Sequence, residues 1–205
     1  MTTFFLVHGG LWEPGMDAHR FWHVPGIVTG LEERRFDVLA PDRPVQPPSW
    51  SAEAEHLAEL LPDRPVTMLA GSNGTSAAVR LALANPERFD RLILAWPATA
   101  GHPEVDARTR RSLIEQGAAA EIADALLAGE TLRGVEDAEL ATLTRPVGLL
   151  PAVPEDPFHQ HHTVDSLEEA LPNTVRLPGT TEPPRPDFGQ QLNRFLDAVT
   201  LFARP

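Results

Sequence analysis

The sequence predicts a single α/β domain with a doubly wound, mostly parallel sheet of about six strands, helices on both faces and a short helical lid. Six short apolar runs recur along the chain, and most are separated by segments with helical spacing of apolar residues. Continuous apolar runs are typical of strands covered on both faces. The length of 205 residues suits one domain spanning residues 1–205.

The six runs are the predicted strands, at residues 4–7, 36–40, 66–70, 92–96, 147–150 and 174–177. Helices are predicted at residues 21–33, 52–61, 75–84, 164–171 and 188–202. The helix at 75–84 has the clearest pattern, because small apolar residues recur on one face and Asn85-Pro86 ends it. Residues 98–143 contain several glycines and no β-like run, so we interpret them as a short helical lid insertion.

Composition narrows the range of partners and sites. The formal net charge is -12, and no Lys/Arg cluster offers a surface for nucleic acid. The absence of cysteine excludes disulfides and thiolate catalysis. No stretch of 18 apolar residues and no basic leader is present, so we expect a cytoplasmic protein that does not bind membranes. We expect a small-molecule substrate and no cofactor, and a homo-oligomer is left open.

The segment Ala70-Gly71-Ser72-Asn73-Gly74 joins a predicted strand to a predicted helix. A sharp turn there needs small neighbours two positions from the serine, and Ala70 and Gly74 meet that need. The turn would present the hydroxyl of Ser72 at a helix N-terminus, the placement of a nucleophile. The alternative is a turn that only caps the helix.

His8-Gly9-Gly10 follows the first predicted strand. Gly-Gly lets the backbone approach a ligand and point an N–H group at it, so Gly10 is a candidate oxyanion donor together with Asn73. The His8 side chain is interpreted as structural.

The chain resembles the α/β-hydrolase family over nearly its whole length. The matching segments, in the family's order, are FFLVHGG, FDVLAPDRP, VTMLAGSNG, LALANPERFDRLILAWPA, RPVGLLPAVPEDPFH and ALPNTVRLPG. The resemblance implies that Ser72 is the nucleophile and that Asp156 is the catalytic acid.

The sequence departs from the family pattern after the last strand, where the family usually has Gly-His and this chain has Pro-Gly-Thr-Thr-Glu ending at Glu182. Three histidines follow Asp156 in the segment DPFHQHH. If that loop folds over Ser72, His159 or His162 could serve as a non-standard base. The alternatives are solvated loop histidines, or a metal site made from Asp156, His159 and His161, and we expect no metal.

Other residues are candidates for the substrate pocket: Gly9, Trp12, Trp96, Glu182 and Arg185. Aromatic side chains near the carboxyl ends of strands can line a pocket, although they can equally fill a core. Glu182 and Arg185, on a proline-stiffened loop, could bind a polar substrate group or form a surface ion pair.

The leading hypothesis is therefore a serine hydrolase acting on a small ester, thioester or lactone. Two alternatives remain open: a non-hydrolytic lyase or cyclase on the same fold, and a catalytically inactive ligand-binding relative.

Overall fold

A computed structural model of the chain describes residues 2–204. Its six strands form one parallel sheet in the order β2-β1-β3-β4-β5-β6. The strands are β1 (Thr3–Val7), β2 (Asp37–Leu39), β3 (Val66–Gly71), β4 (Phe89–Ala95), β5 (Val147–Leu150) and β6 (Thr174–Arg176). The predicted fold class and all six predicted strands are confirmed.

Helices surround the sheet. They are α1 (Ile27–Glu33), α2 (Trp50–Glu59), α3 (Gly74–Ala84), α4 (Pro103–Glu115), α5 (Ala120–Leu127), α6 (Asp137–Leu140), α7 (His161–Ala170) and α8 (Phe188–Ala203). The apolar side chains form two buried clusters, one on each face of the sheet. Within the described residues, no helix combines the length and apolarity that a membrane span requires.

One helix prediction is wrong. The predicted helix at residues 21–33 is divided into a π-helical turn at His19–His23 and α1. Pro25 lacks a backbone N–H donor, and Gly26 adopts a φ of 85°, a left-handed conformation that an α-helix cannot contain.

The strand order positions the site. The chain leaves β1 for β2 on one side and then returns to β3 on the other side of β1. Ligands of open parallel sheets bind at such a reversal, outside the carboxyl ends of the strands. The loops after β1 and β3 meet there, and α4, α5 and α6 all fall within residues 98–143. The assignment of that segment as a lid stays a prediction.

Candidate active site

Ser72 occupies a strained turn between β3 and α3. Its φ is 50°, which side chains larger than glycine rarely adopt. Its N–H group donates to the carbonyl of Ala95 (3.0 Å), and its carbonyl accepts from the N–H and the hydroxyl of Thr75 (3.1 and 2.7 Å). These bonds fix the backbone on both sides of the serine.

Glycines allow this turn to lie close to its neighbours. A Cβ atom at Gly74 would lie 2.4 Å from the carbonyl oxygen of His8, and one at Gly71 would lie 2.6 Å from the ring of Phe21. Only glycine therefore lets α3 start directly against the end of β1 without displacing backbone.

Ser72, His159 and Asp156 form a hydrogen-bonded series. The Oγ atom of Ser72 lies 2.9 Å from Nε2 of His159. The Nδ1 atom of His159 lies 3.2 Å from both carboxylate oxygens of Asp156. The nucleophile, base and acid of a serine hydrolase require this arrangement.

His159 and Asp156 lie on one loop, which follows β5. Hydrogen bonds anchor this loop to Thr99, whose N–H donates to the carbonyl of Phe158 (2.7 Å) and whose hydroxyl accepts from the N–H of Gln160 (3.0 Å). Of the three histidines in DPFHQHH, His159 contacts Ser72, while Nε2 of His161 bonds the carbonyl of Ala152 (2.7 Å) and His162 is exposed.

Asp156 is a carboxylate at neutral pH. The hydrogen bond with His159 lowers the pKa of Asp156 to about 2, against the opposing effect of burial, and the nearby charge of Arg185 also lowers it. Arg185 itself is hydrogen-bonded to Asp156. An ionised Asp156 favours the tautomer of a neutral imidazole that carries its proton on Nδ1, and the lone pair of Nε2 then faces Ser72.

Glu182 lies on the opposite side of the imidazole, on the loop after β6. One of its carboxylate oxygens is 3.3 Å from Nε2 of His159, and its side chain is 15% exposed. Burial raises the pKa of Glu182, and the nearby imidazole of His159 and a hydrogen bond from Ser72 partly oppose this effect. The site therefore contains two carboxyl groups, one facing each ring nitrogen.

The loop that begins at His8 is held by a buried arginine. The Nη1 atom of Arg43 donates to the carbonyls of His8, Gly9 and Gly10, at 2.8, 3.0 and 2.6 Å. Arg43 also forms an ion pair with Glu53, and both side chains are almost completely buried. These hydrogen bonds fix the orientation of the three carbonyl groups, which point toward the guanidinium of Arg43.

His8 completes this network as a neutral side chain. The backbone N–H of Arg43 donates to Nε2 of His8 (3.0 Å), so the proton lies on Nδ1, which bonds the carbonyl of Gly9 (2.8 Å). Burial, followed by the charge of Arg43, lowers the pKa of His8 to about 4. These contacts fit the structural role predicted for His8.

A cavity of about 620 Å³ opens over Ser72. One part of its wall is apolar, with Leu11, Met16, Phe21 and Phe158. A polar part comes from residues 98–143, with Arg108, Thr109, Ser112, Gln116 and Arg133. The buried Arg133 is hydrogen-bonded to Asp106 (3.0 Å) and to the side chain of Asn73 (2.9 Å), which connects residues 98–143 to the turn at Ser72.

Several predicted site residues border this cavity: Gly10, Ser72, Asn73, Asp156, His159, Glu182 and Arg185. Gly10 has a φ of 83°, and Asn73 immediately precedes α3. The oxyanion role of these two residues stays a prediction.

Three predicted pocket residues lie elsewhere. Trp96 is 0% exposed, stacks on Phe195 (ring centroids 5.1 Å apart) and donates to the carbonyl of Thr180, because its side chain belongs to the core beside α8. Trp12 faces the other core cluster and donates to the carbonyl of Pro47 (3.1 Å). Gly9 is buried with its Cα facing the Phe21 ring and Ser72. These three residues do not line the cavity.

The sequence interpretation missed the role of Arg43. Arg43 pairs with Glu53, while its neighbour Asp42 accepts a hydrogen bond from the N–H of Ala18 (2.8 Å). A signal was present in α2, where Glu53 shares the buried face with Trp50, Ala54 and Leu57. A charged residue within an apolar stripe indicates a buried ionic partner.

Comparison with known proteins gives matches in structure alone. No protein-family model matches the sequence, and no curated protein matches it. Among solved structures, a meta-cleavage product hydrolase from Pseudomonas fluorescens IP01 is 18% identical, with a TM-score of 0.71 over 98% of this chain and 90% of that one.

Two further matches have similar coverage. A thermophilic esterase from Thermogutta terrifontis is 18% identical, with a TM-score of 0.70 over 98% of this chain and 89% of that chain. A serine hydrolase from Cycloclasticus zankles is 20% identical, with a TM-score of 0.67 over the same shares of the two chains.

Proposed function

Because the chain has the α/β-hydrolase fold, we propose that it is a serine hydrolase that acts on a small ester, thioester or lactone. One observation carries the proposal: Ser72 Oγ lies 2.9 Å from His159 Nε2, while His159 Nδ1 faces the ionised carboxylate of Asp156. The names of the similar structures, which include an esterase and a serine hydrolase, agree with this chemistry.

The first half of the reaction forms an acyl-enzyme. Ser72 Oγ attacks the substrate carbonyl carbon, and its proton passes to Nε2 of His159. The imidazolium is stabilised by Asp156, and the N–H groups of Gly10 and Asn73 are the proposed donors to the oxyanion. Collapse of the tetrahedral intermediate breaks the bond to the leaving alcohol or thiol, which takes the proton from His159.

The second half restores the enzyme. Water attacks the acyl carbonyl and gives its proton to Nε2 of His159. The acid product then leaves as Ser72 recovers its proton. A cavity of about 620 Å³ with apolar and polar walls suits a small acyl substrate that carries a polar group.

A fluorophosphonate probe and the hydrolysis of p-nitrophenyl acetate and butyrate test the proposal. We expect wild type to be labelled and to turn over at least one ester. Ser72→Ala and His159→Asn should lose about 10³-fold or more in kcat, because removal of one triad member disables the whole unit. His162→Asn is the matched control, since this exposed histidine lies on the same segment without contacting Ser72.

Two results would contradict the proposal. Equal turnover by wild type and Ser72→Ala would exclude Ser72 as the nucleophile. Absence of both labelling and turnover in wild type would favour the lyase, cyclase or ligand-binding alternatives.

A further inference from the structure

Glu182 occupies a position that the proposed triad does not explain. The triad needs one carboxylate, and Asp156 supplies it at Nδ1 of His159. A second carboxyl oxygen, from Glu182, lies 3.3 Å from the other ring nitrogen, beside the atom that must accept the proton of Ser72.

We infer that Glu182 is a second acidic partner of His159, which keeps a proton shared with Nε2 in the resting enzyme and so raises the pH at which the base becomes free. This inference rests on the function proposed above for Ser72 and His159, and it adds a group that tunes their reaction.

The hydrogen-bonding capacity of imidazole supports the inference. A neutral ring has one N–H group and one lone pair, whereas an imidazolium has an N–H group on each nitrogen. With the Nδ1 proton facing ionised Asp156, neutral Nε2 presents its lone pair to Glu182. If both carboxylates are ionised and the ring is neutral, the lone pair of Nε2 and the carboxylate of Glu182 repel each other. One additional proton, on His159 or on Glu182, removes this repulsion.

Neighbouring charges leave His159 as the main electrostatic partner of Glu182. Arg185 lies on the same loop, but its guanidinium is hydrogen-bonded to Asp156, and its effect on the pKa of Glu182 is smaller than that of His159. The charge of Asp156 disfavours ionisation of Glu182.

The remaining charged groups that border the cavity are Glu13, Arg108 and Arg133. Arg133 is paired with Asp106, and Arg108 lies over the ring of Phe158 (5.4 Å from its centroid). Glu13 lies on the loop after β1 and forms no ion pair within the described residues. Among the described residues, His159 is the basic side chain that lies within ion-pair distance of Glu182.

The arrangement affects two stages of the reaction differently. In the resting enzyme, the shared proton lies between Nε2 and Glu182 and competes with the Ser72 hydroxyl, so it must pass to solvent before Nε2 can accept the proton of Ser72. After attack, the ring is an imidazolium between two carboxylates, so the charge that develops on it is stabilised from both sides. The base therefore becomes available at a higher pH than it would without Glu182.

Glu182→Gln tests the inference because the amide keeps the shape of the side chain and removes its charge. The first measurement is the pH dependence of the rate of inactivation by fluorophosphonate. The second is an NMR titration of the His159 ring in the substrate-free chain, with the signal assigned by its loss in His159→Asn.

We expect both midpoints to fall by about one pH unit or more in Glu182→Gln, since an opposite charge within about 4–6 Å shifts a pKa by roughly 1–3 units. Glu182→Ala should lower them in the same direction. Glu155→Gln is the control: Glu155 is on the His159 loop, but its carboxylate contacts the N–H of His161 instead. Its midpoints should stay at the wild-type values.

The two readouts separate this inference from the proposed function. Unchanged or raised His159 midpoints in Glu182→Gln and Glu182→Ala would overturn the role of Glu182, even if Ser72 is labelled. A lowered NMR midpoint in a chain that the probe does not label would support the Glu182–His159 coupling while contradicting the serine-hydrolase function.

Discussion

Replacing Arg43 with methionine should cause a large loss of stability. Met keeps much of the apolar volume of the side chain and removes its positive charge. The change leaves the carboxylate of Glu53, which is 0% exposed, without its ion-pair partner, and it removes the donor shared by three backbone carbonyls. Breaking a buried pair from one side costs about 3–5 kcal/mol. That loss is a large share of the roughly 5–15 kcal/mol that stabilises a typical domain.

Urea unfolding at pH 7, followed by the fluorescence of the four tryptophans, measures this loss. Arg64→Met is the matched control, because Arg64 pairs with Asp37 at 2.8 Å but the two side chains are 59% and 41% exposed. An exposed pair of this kind is worth about 0–1 kcal/mol. The double variant Arg43→Met/Glu53→Gln should lose less than Arg43→Met alone, since no buried charge is left unpaired.

Two outcomes would refute this reasoning. One is an Arg43→Met variant that loses no more stability than Arg64→Met. The other is a double variant that is as unstable as the single one, because the unpaired charge of Glu53 would then not be the source of the loss. If the ester hydrolysis proposed above is found, kcat should also fall in Arg43→Met, because the Gly10 loop loses its anchor.

Two further predictions concern the same end of the sheet. As the pH falls below 6.5, His8 becomes protonated in the unfolded chain, whereas in the folded chain it becomes protonated only near its pKa of about 4. The stability contributed by neutral His8 is therefore complete above pH 6.5 and is lost as the pH falls toward 4. At about 1.4 kcal/mol per pKa unit, the difference between 6.5 and about 4 corresponds to about 3.5 kcal/mol in all, of which about 2–3 kcal/mol is lost between pH 7 and pH 4.5. The fall in urea-derived stability over that pH range should be smaller by about 2–3 kcal/mol in His8→Asn, and an equal fall would contradict the prediction. Gly74→Ala should lower the free energy of unfolding by about 1–3 kcal/mol, because its Cβ would lie 2.4 Å from a backbone oxygen. Gly189→Ala in α8 is the control: its Cβ meets nothing within 4 Å, so the change should be neutral or stabilising. Thermal unfolding of both variants checks this, and equal melting temperatures would count against the close contact at Gly74.

The fold could be predicted from the sequence because its signals are local. The central strands β1, β3, β4 and β5 each contain a run of buried apolar residues, and α3 has one face of small residues followed by Asn85-Pro86. The helix prediction at residues 21–33 failed where apolar periodicity continued across Pro25 and Gly26. There the backbone conformation of two residues outweighed the side-chain pattern.

The site could be predicted in part. The turn at Ser72 is visible in the sequence because its small neighbours are adjacent to it. The choice of His159 over His162 could not be made from the sequence, because it depends on the path of the loop past Thr99. Trp96 follows β4 at the expected end of the sheet, but the direction of its side chain depends on packing against α8, which lies about 90 residues later.

His159 and Asp156 lie on the same loop, so the two proposed catalytic groups can change together during evolution. In this chain the two residues are three positions apart, and their mutual geometry is set by a short turn in which the N–H of His159 bonds the carbonyl of Asp156 (3.1 Å). Exchange of residues 151–160 as one segment would therefore remove or introduce both groups together. In the proposed mechanism the base lies outside the loop after β6, so changes in that loop leave the proposed proton acceptor of Ser72 in place.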